Sequence, residues 1–137
     1  FVTLFYSDYD PRTQKLRYAN AAHNPPFLWK NKEQKITKLD AEGFVLGLQK
    51  DAEYLCGDVK LSNLDVILYY TDGITETTNN LGERFGEKNL KSTFSKLCKK
   101  NLNSQEILNK IFKKLDDFSG KKKQLDDDAS IVIFKLE

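Results

Sequence analysis

LDVILYYTDGITE, residues 64–76, is the stretch from which the fold can be read. Its centre, residues 66–70, is an unbroken apolar and aromatic run, the composition of a strand buried on both faces. The run stops at Thr71-Asp72-Gly73, so a carboxylate stands where a buried strand emerges, followed by a glycine that permits a sharp turn. A hard cation asks for this arrangement, because its oxygen ligands must be held by something rigid. An ordinary Asp-Gly turn has the same sequence, so this stretch alone does not decide between them.

A second stretch bears on the choice. Residues 124–137 read QLDDDASIVIFKLE, three consecutive aspartates running straight into an apolar strand over 130–136. A solvated acidic loop is the simple account. Three adjacent carboxylates nevertheless repel one another unless a cation or basic group offsets them. If the strands at 65–71 and 130–136 are neighbours, Asp72 and the Asp126–Asp128 cluster share one edge of a sheet. All-oxygen ligation then favours Mg²⁺ or Mn²⁺ over zinc, which prefers His and Cys.

Outward from these two strands, residues 1–9 and 15–22 read as a pair of strands, the second alternating Leu16, Tyr18 and Asn20 against Arg17, Ala19 and Ala21. Asp10-Pro11-Arg12-Thr13-Gln14 between them is turn chemistry. His23-Asn24-Pro25-Pro26 fits neither a helix nor a central strand. Short strands at 27–30 and 35–39 flank Asn31-Lys32-Glu33 and complete a meander. AEGFVLGL, 41–48, is a glycine-punctuated loop expected to bury Phe44, Val45 and Leu46 in part, with a further strand over 53–61. Residues 75–86 form a polar surface flap pinned by Leu81 and Phe85.

Two helices follow. Over 87–99, Leu90, Phe94, Leu97 and Cys98 fall on one helical face. Asn103 and Glu106 make a capping box for a second helix, whose Ile107, Leu108, Ile111, Phe112, Leu115 and Phe118 face inward and which Gly120 stops. Lys121-Lys122-Lys123 is read as a solvated loop.

The 137 residues are enough for one domain with a core, and no internal boundary is drawn. Twenty-two basic against twenty acidic residues leave no general electrostatic reason to expect nucleic-acid or membrane binding. No apolar run approaches the roughly 20 residues a bilayer crossing needs. Cys56 and Cys98, in no metal-binding spacing, are read as reduced, packed thiols of a cytoplasmic protein. Methionine is absent and the chain starts inside an apolar run, as expected for a piece of a longer protein. His23, the one histidine, and Asn20 and Asn24 are read as turn residues rather than catalysts. Thr71 and Glu76 flank the candidate site, and Arg84 is taken as a solvated arginine.

LRYANAAHNPPFL, EGFVLGL, ILYYTDGITE, GERFGEKNL and DDASIVIF resemble, in that order, the successive landmarks of the SpoIIE/RsbU-type bacterial serine phosphatases, members of the metal-dependent protein phosphatase 2C superfamily. The resemblance implies an α+β fold, a sandwich of two antiparallel β-sheets flanked by helices, with residues 1–137 forming the C-terminal part of one phosphatase domain. It implies a pair of Mn²⁺ or Mg²⁺ ions, with Asp72 as the aspartate of the TDG motif and Asp127 as the ligand beside the last strand. Gly73 and Asp128 would support that site and Asp126 would lie outside it, although the DDD run admits a one-residue slip. No catalytic residue beyond the metal ligands is implied.

The family's N-terminal portion, which supplies the other metal ligands, has no counterpart here, so those ligands are expected on sequence preceding Phe1. The isolated chain would then be inactive or nearly so. The implied reaction is hydrolysis of phosphoserine or phosphothreonine on a protein by a metal-activated water, without a covalent intermediate. The implied substrate is a STAS-domain anti-sigma-factor antagonist, under the control of an upstream sensor domain. Two other readings fit the same residues. One is a pseudophosphatase kept as an interaction module, against which the retained Asp72 and Asp127 argue. The other is an unrelated β-rich binding domain.

Overall fold

A computed structural model of the chain describes residues 1–120 and 128–137. Among the described residues seven strands form two antiparallel sheets. β1 (Leu4–Asp10), β2 (Lys15–Ala21) and β5 (Cys56–Lys60) make the first, in the order β1-β2-β5. β3 (Phe27–Lys30), β4 (Lys35–Lys38), β6 (Val66–Tyr70) and β7 (Ile131–Lys135) make the second, in the order β4-β3-β6-β7. The strands at the two ends of the sequence reading, β6 and β7, are therefore neighbours, paired from Val66↔Lys135 to Tyr70↔Ile131.

β6 lies in the interior of its sheet and is covered on both sides. Val66, Leu68 and Tyr70 point to one face and Ile67 and Tyr69 to the other, as the two-residue period of a strand requires. On the first face they meet Phe27 and Trp29 of β3 together with the apolar stripes of two helices, α2 (Gly86–Cys98) and α3 (Ser104–Ser119). Leu90, Phe94 and Leu97 come from α2, and Ile107, Ile111 and Leu115 from α3. On the second face Ile67 and Leu28 pack with Leu16, Leu39 and Leu61, the core between the two sheets, and Ser7 and Tyr69 hydrogen-bond across it at 3.0 Å. The sandwich and its helices are thus as expected. Among the described residues, helices cover only the β4-β3-β6-β7 sheet.

Local chemistry accounts for the element ends. Asp10 Oδ1 accepts the Arg12 backbone N–H at 2.9 Å, closing the β1–β2 turn. The guanidinium and N–H of Arg12 hold the Asp10 carboxyl below its ordinary pKa. At α3 the capping box is complete: Asn103 Oδ1 accepts from the Glu106 N–H and Glu106 Oε2 from the Asn103 N–H. Gly120 ends that helix at φ 80°. Among the described residues no helix is long and apolar enough to cross a membrane.

Four expectations are corrected. Phe44 and Leu81 are exposed, at 57% and 83%, so the 41–48 loop and the flap are pinned by other residues, the flap by Phe85 at 3%. Cys56 is a free, exposed thiol rather than a packed one, because its side chain takes the outward position on an edge strand. Cys98 is free and partly buried, and burial pushes its thiol up to about 12. Residues 72–75 form a helical turn, α1 (Asp72–Thr75), rather than a sharp loop.

The residue that fixes the start of β6 is Asp65, 1% exposed. Its carboxylate accepts the Lys30 ammonium at 2.8 Å and the backbone N–H groups of Asn31 and Ser62 at 2.8 and 2.9 Å. A buried carboxylate is tolerated only when its lone pairs are filled in this way. Asp65→Ala leaves two N–H donors and an ammonium short of an acceptor, and is expected to destabilise the fold by about 3 kcal/mol. Urea denaturation checks this, and a change below about 1 kcal/mol would show that the network contributes no more than an average hydrogen bond.

Candidate metal site at the end of the central strands

At its C-terminal end β6 delivers Thr71 and Asp72 to the rim of the sheet. The ladder with β7 is carried one step past the strands: the Thr71 N–H donates to the Ser130 carbonyl at 3.1 Å, and the Ser130 N–H donates to Thr71 Oγ1 at 3.0 Å. The Thr71 hydroxyl stands in for a backbone carbonyl, so pairing continues while the chain turns into α1. Residues 128–130 therefore run back beside residues 71–73.

Gly73 sets how closely. A Cβ at this position would lie 2.3 Å from the Asp128 carbonyl oxygen, 2.9 Å from its carbon and 3.1 Å from the Ala129 Cα. Only a residue without a side chain admits that backbone approach. The expected role of Gly73 was a sharp turn; its position is helical, and the constraint is contact across the chain. The structure thus brings Asp72, Gly73 and Asp128 together at one rim. Asp127 and Asp126 lie outside the described residues, as do Lys121, Lys122 and Lys123.

Asp72 is exposed, and its Oδ1 accepts a hydrogen bond from the Asn24 side-chain amide. Among the described residues no other group bonds this carboxylate. Behind it, burial first, then the charges of Glu87 and Asp72, push the Tyr70 phenol up to about 12, so the core side of the rim carries no ionised tyrosine at neutral pH. The α1 turn is closed by the Glu76 N–H on the Asp72 carbonyl at 2.9 Å and by buried Thr77, whose hydroxyl donates to the Gly73 carbonyl at 2.8 Å. Thr71 is thus structural, and Arg84 is exposed with Glu76 at 3.9 Å, as a solvated arginine would be.

The turn before β3 reaches the same rim, which sequence reasoning missed. Asn20, 3% exposed, accepts the His23 N–H at 2.8 Å and donates to the His23 carbonyl at 2.9 Å. The His23 ring places Nε2 3.2 Å from the Tyr70 carbonyl and Nδ1 3.1 Å from the Thr3 hydroxyl. A carbonyl only accepts, so Nε2 carries the proton and, in the neutral ring, Nδ1 accepts from Thr3. Both ring nitrogens are occupied, in keeping with a turn residue and not a general acid. The proximity of this turn to Asp72, 48 positions further along the chain, has no signature in the local sequence. On the other side of His23 a cavity of about 610 Å³ opens, lined by Asp40, Glu42, Glu53, Phe44 and Leu55 among others.

Oxygen donors on a rigid strand end suit a hard divalent cation better than zinc. Asp72 offers a carboxylate with one oxygen already oriented, and this fits such an ion. Among the described residues no three His, Cys, Asp or Glu side chains converge as a complete ligand set. Because the atoms facing Gly73 are backbone, Gly73→Ala forces the 128–129 segment away from the rim. The expected cost is about 1–3 kcal/mol, seen as a lower melting temperature; an unchanged melting temperature would contradict the close approach.

Comparison with known proteins agrees with this architecture. The family described as Stage II sporulation protein E (SpoIIE) matches residues 1–137. The phosphoserine phosphatase RsbU of Bacillus subtilis is 32% identical over 142 residues, covering 98% of this chain and 39% of RsbU. Among solved structures, the SiaA-PP2C domain of Pseudomonas aeruginosa superposes with a TM-score of 0.77 at 18% identity, covering 97% of this chain and 51% of that one. The manganese-presoaked phosphatase domain of the cell-fate determinant SpoIIE from Bacillus subtilis gives 0.71 at 17% identity, covering 98% and 56%. The chain thus spans about two fifths of its curated relative and about half of each similar domain. On its sequence match from end to end and on the shared sandwich, the chain belongs to the SpoIIE family, with the fold of PP2C-type phosphatase domains.

Proposed function

We propose that this chain is part of a metal-dependent protein serine/threonine phosphatase. The observation that carries the reading is the shared rim: β6 and β7 end side by side, with Asp72 emerging from one and the backbone of Asp128 packed on Gly73 from the other. In this reading Asp72 and Asp127 are metal ligands, while Gly73 and Asp128 hold the two segments together. Two divalent ions need more carboxylates than these, so the chain contributes part of the site. When bound, a pair of Mn²⁺ or Mg²⁺ ions supplies an activated water and offsets charge on the phosphoryl oxygens.

The chain's own residues do the positioning. Asp72 presents its carboxylate from a strand end that cannot shift without opening two cores. Thr71 and Ser130 fix the spacing of the two strand ends through a pair of hydrogen bonds. In this reading His23, engaged at both nitrogens, serves its turn.

The substrate class follows from the family: a phosphoserine or phosphothreonine protein, with a STAS-domain anti-sigma-factor antagonist as the form the SpoIIE/RsbU relationship favours. The protein would act in the cytoplasm, in sigma-factor regulation, under a sensor domain attached upstream. In the full-length protein, assayed with Mn²⁺ on a phosphoserine peptide, Asp72→Ala and Asp127→Ala are each expected to reduce turnover at least about 100-fold. Wild-type activity in both variants would overturn the site assignment.

A further inference from the structure

We propose that Asn24 is a positioning residue that orients the Asp72 carboxylate for its cation. The inference rests on Asp72 being a metal ligand, and it assigns to Asn24 a task beyond its turn. The Asn24 amide donates to Asp72 Oδ1. A hydrogen bond from an N–H to one oxygen restricts rotation of the carboxylate, and the second oxygen, Oδ2, is left free of that donor. Among the described residues no group donates to Oδ2.

The donor is itself held from both sides. On its N-terminal side, His23 is pinned to the Asn20 side chain by two backbone hydrogen bonds, and its ring is hooked to the Tyr70 carbonyl. Tyr70 is the last residue of β6, two before Asp72, so the turn grips the same strand end that carries the carboxylate. On its C-terminal side Pro25 and Pro26 fix their own φ and restrict the backbone of Asn24. The Pro26 carbonyl is tied in turn to the Leu39 N–H at 2.9 Å. An amide held this way meets Asp72 with little conformational freedom left to lose, as supports of metal ligands typically do. A residue serving only its turn would bond within 20–26; Asn24 instead bonds the residue that follows the neighbouring strand β6 in the same sheet.

The test uses the full-length protein, titrated with Mn²⁺ and followed by electron paramagnetic resonance of the free and bound ion. Melting of the metal-free protein is measured in parallel. Asp72→Asn serves as the reference and is expected to abolish binding at this site. Asn24→Ala is expected to weaken Mn²⁺ binding about 10-fold and alter the bound-ion line shape, with the metal-free melting transition retained. Asn24→Ser, which suits a turn but whose hydroxyl stops short of Asp72, should weaken binding likewise.

If Asp72→Asn loses the ion while a folded Asn24 variant binds it within twofold of wild type, the positioning role is wrong and the metal site stands. If Asp72→Asn binds as wild type, the metal reading itself fails. Loss of binding that comes only with loss of the melting transition, in both Asn24 variants, would make Asn24 a fold residue and overturn the proposal.

Discussion

Antiparallel pairing of β6 with β7 is the constraint on which the rest depends. Register in a half-buried sheet is strongly specified, since a one-residue slip sends every side chain to the opposite face. Here both faces are buried, so a slip would disturb the helix-side core and the inter-sheet core together. The register Tyr70↔Ile131 then dictates that Thr71 meets Ser130 and that Gly73 meets Asp128. Asp72 and the backbone of Asp128, more than fifty residues apart in the chain, are brought to one rim by apolar packing, and no attraction between them is needed.

Two aspartates bracket the central strand and illustrate how environment divides one residue type into two roles. Asp65, at the start of β6, is buried and saturated by an ammonium and two backbone N–H groups. Asp72, at the far end, is exposed and receives one amide. The first carboxylate has no coordination capacity to spare and holds the strand in place. The second keeps an oxygen available, and its strand is rigid because of the first. On the proposed reading of Asp72, stability and metal binding are thus separated at the two ends of one strand.

Much of this was legible because periodicity reports burial. The run VILYY marks a strand covered on both faces, and the spacing of Leu90, Phe94 and Leu97 marks the face of α2. Asn103 with Glu106 states where α3 begins. The neighbouring strands of the two acidic segments were also anticipated. What escaped notice arises from contacts distant in sequence: Asn24 on Asp72, His23 on the Tyr70 carbonyl, Asp65 on Lys30. Each is a polar side chain whose partner is set by topology, and no local pattern encodes that. Gly73 was singled out for a turn, whereas the structure shows a close backbone approach there, since φ is a local property and close approach is not. Phe44 and Leu81 were misplaced because an apolar side chain in a loop is no guide to burial unless an element lies beneath it.

An anomalous-difference map from Mn²⁺-soaked crystals of the full-length protein tests the central claim most directly. It should show an ion within about 2.5 Å of an Asp72 carboxylate oxygen. Ordered manganese bound elsewhere, with Asp72 free of it, would contradict the account.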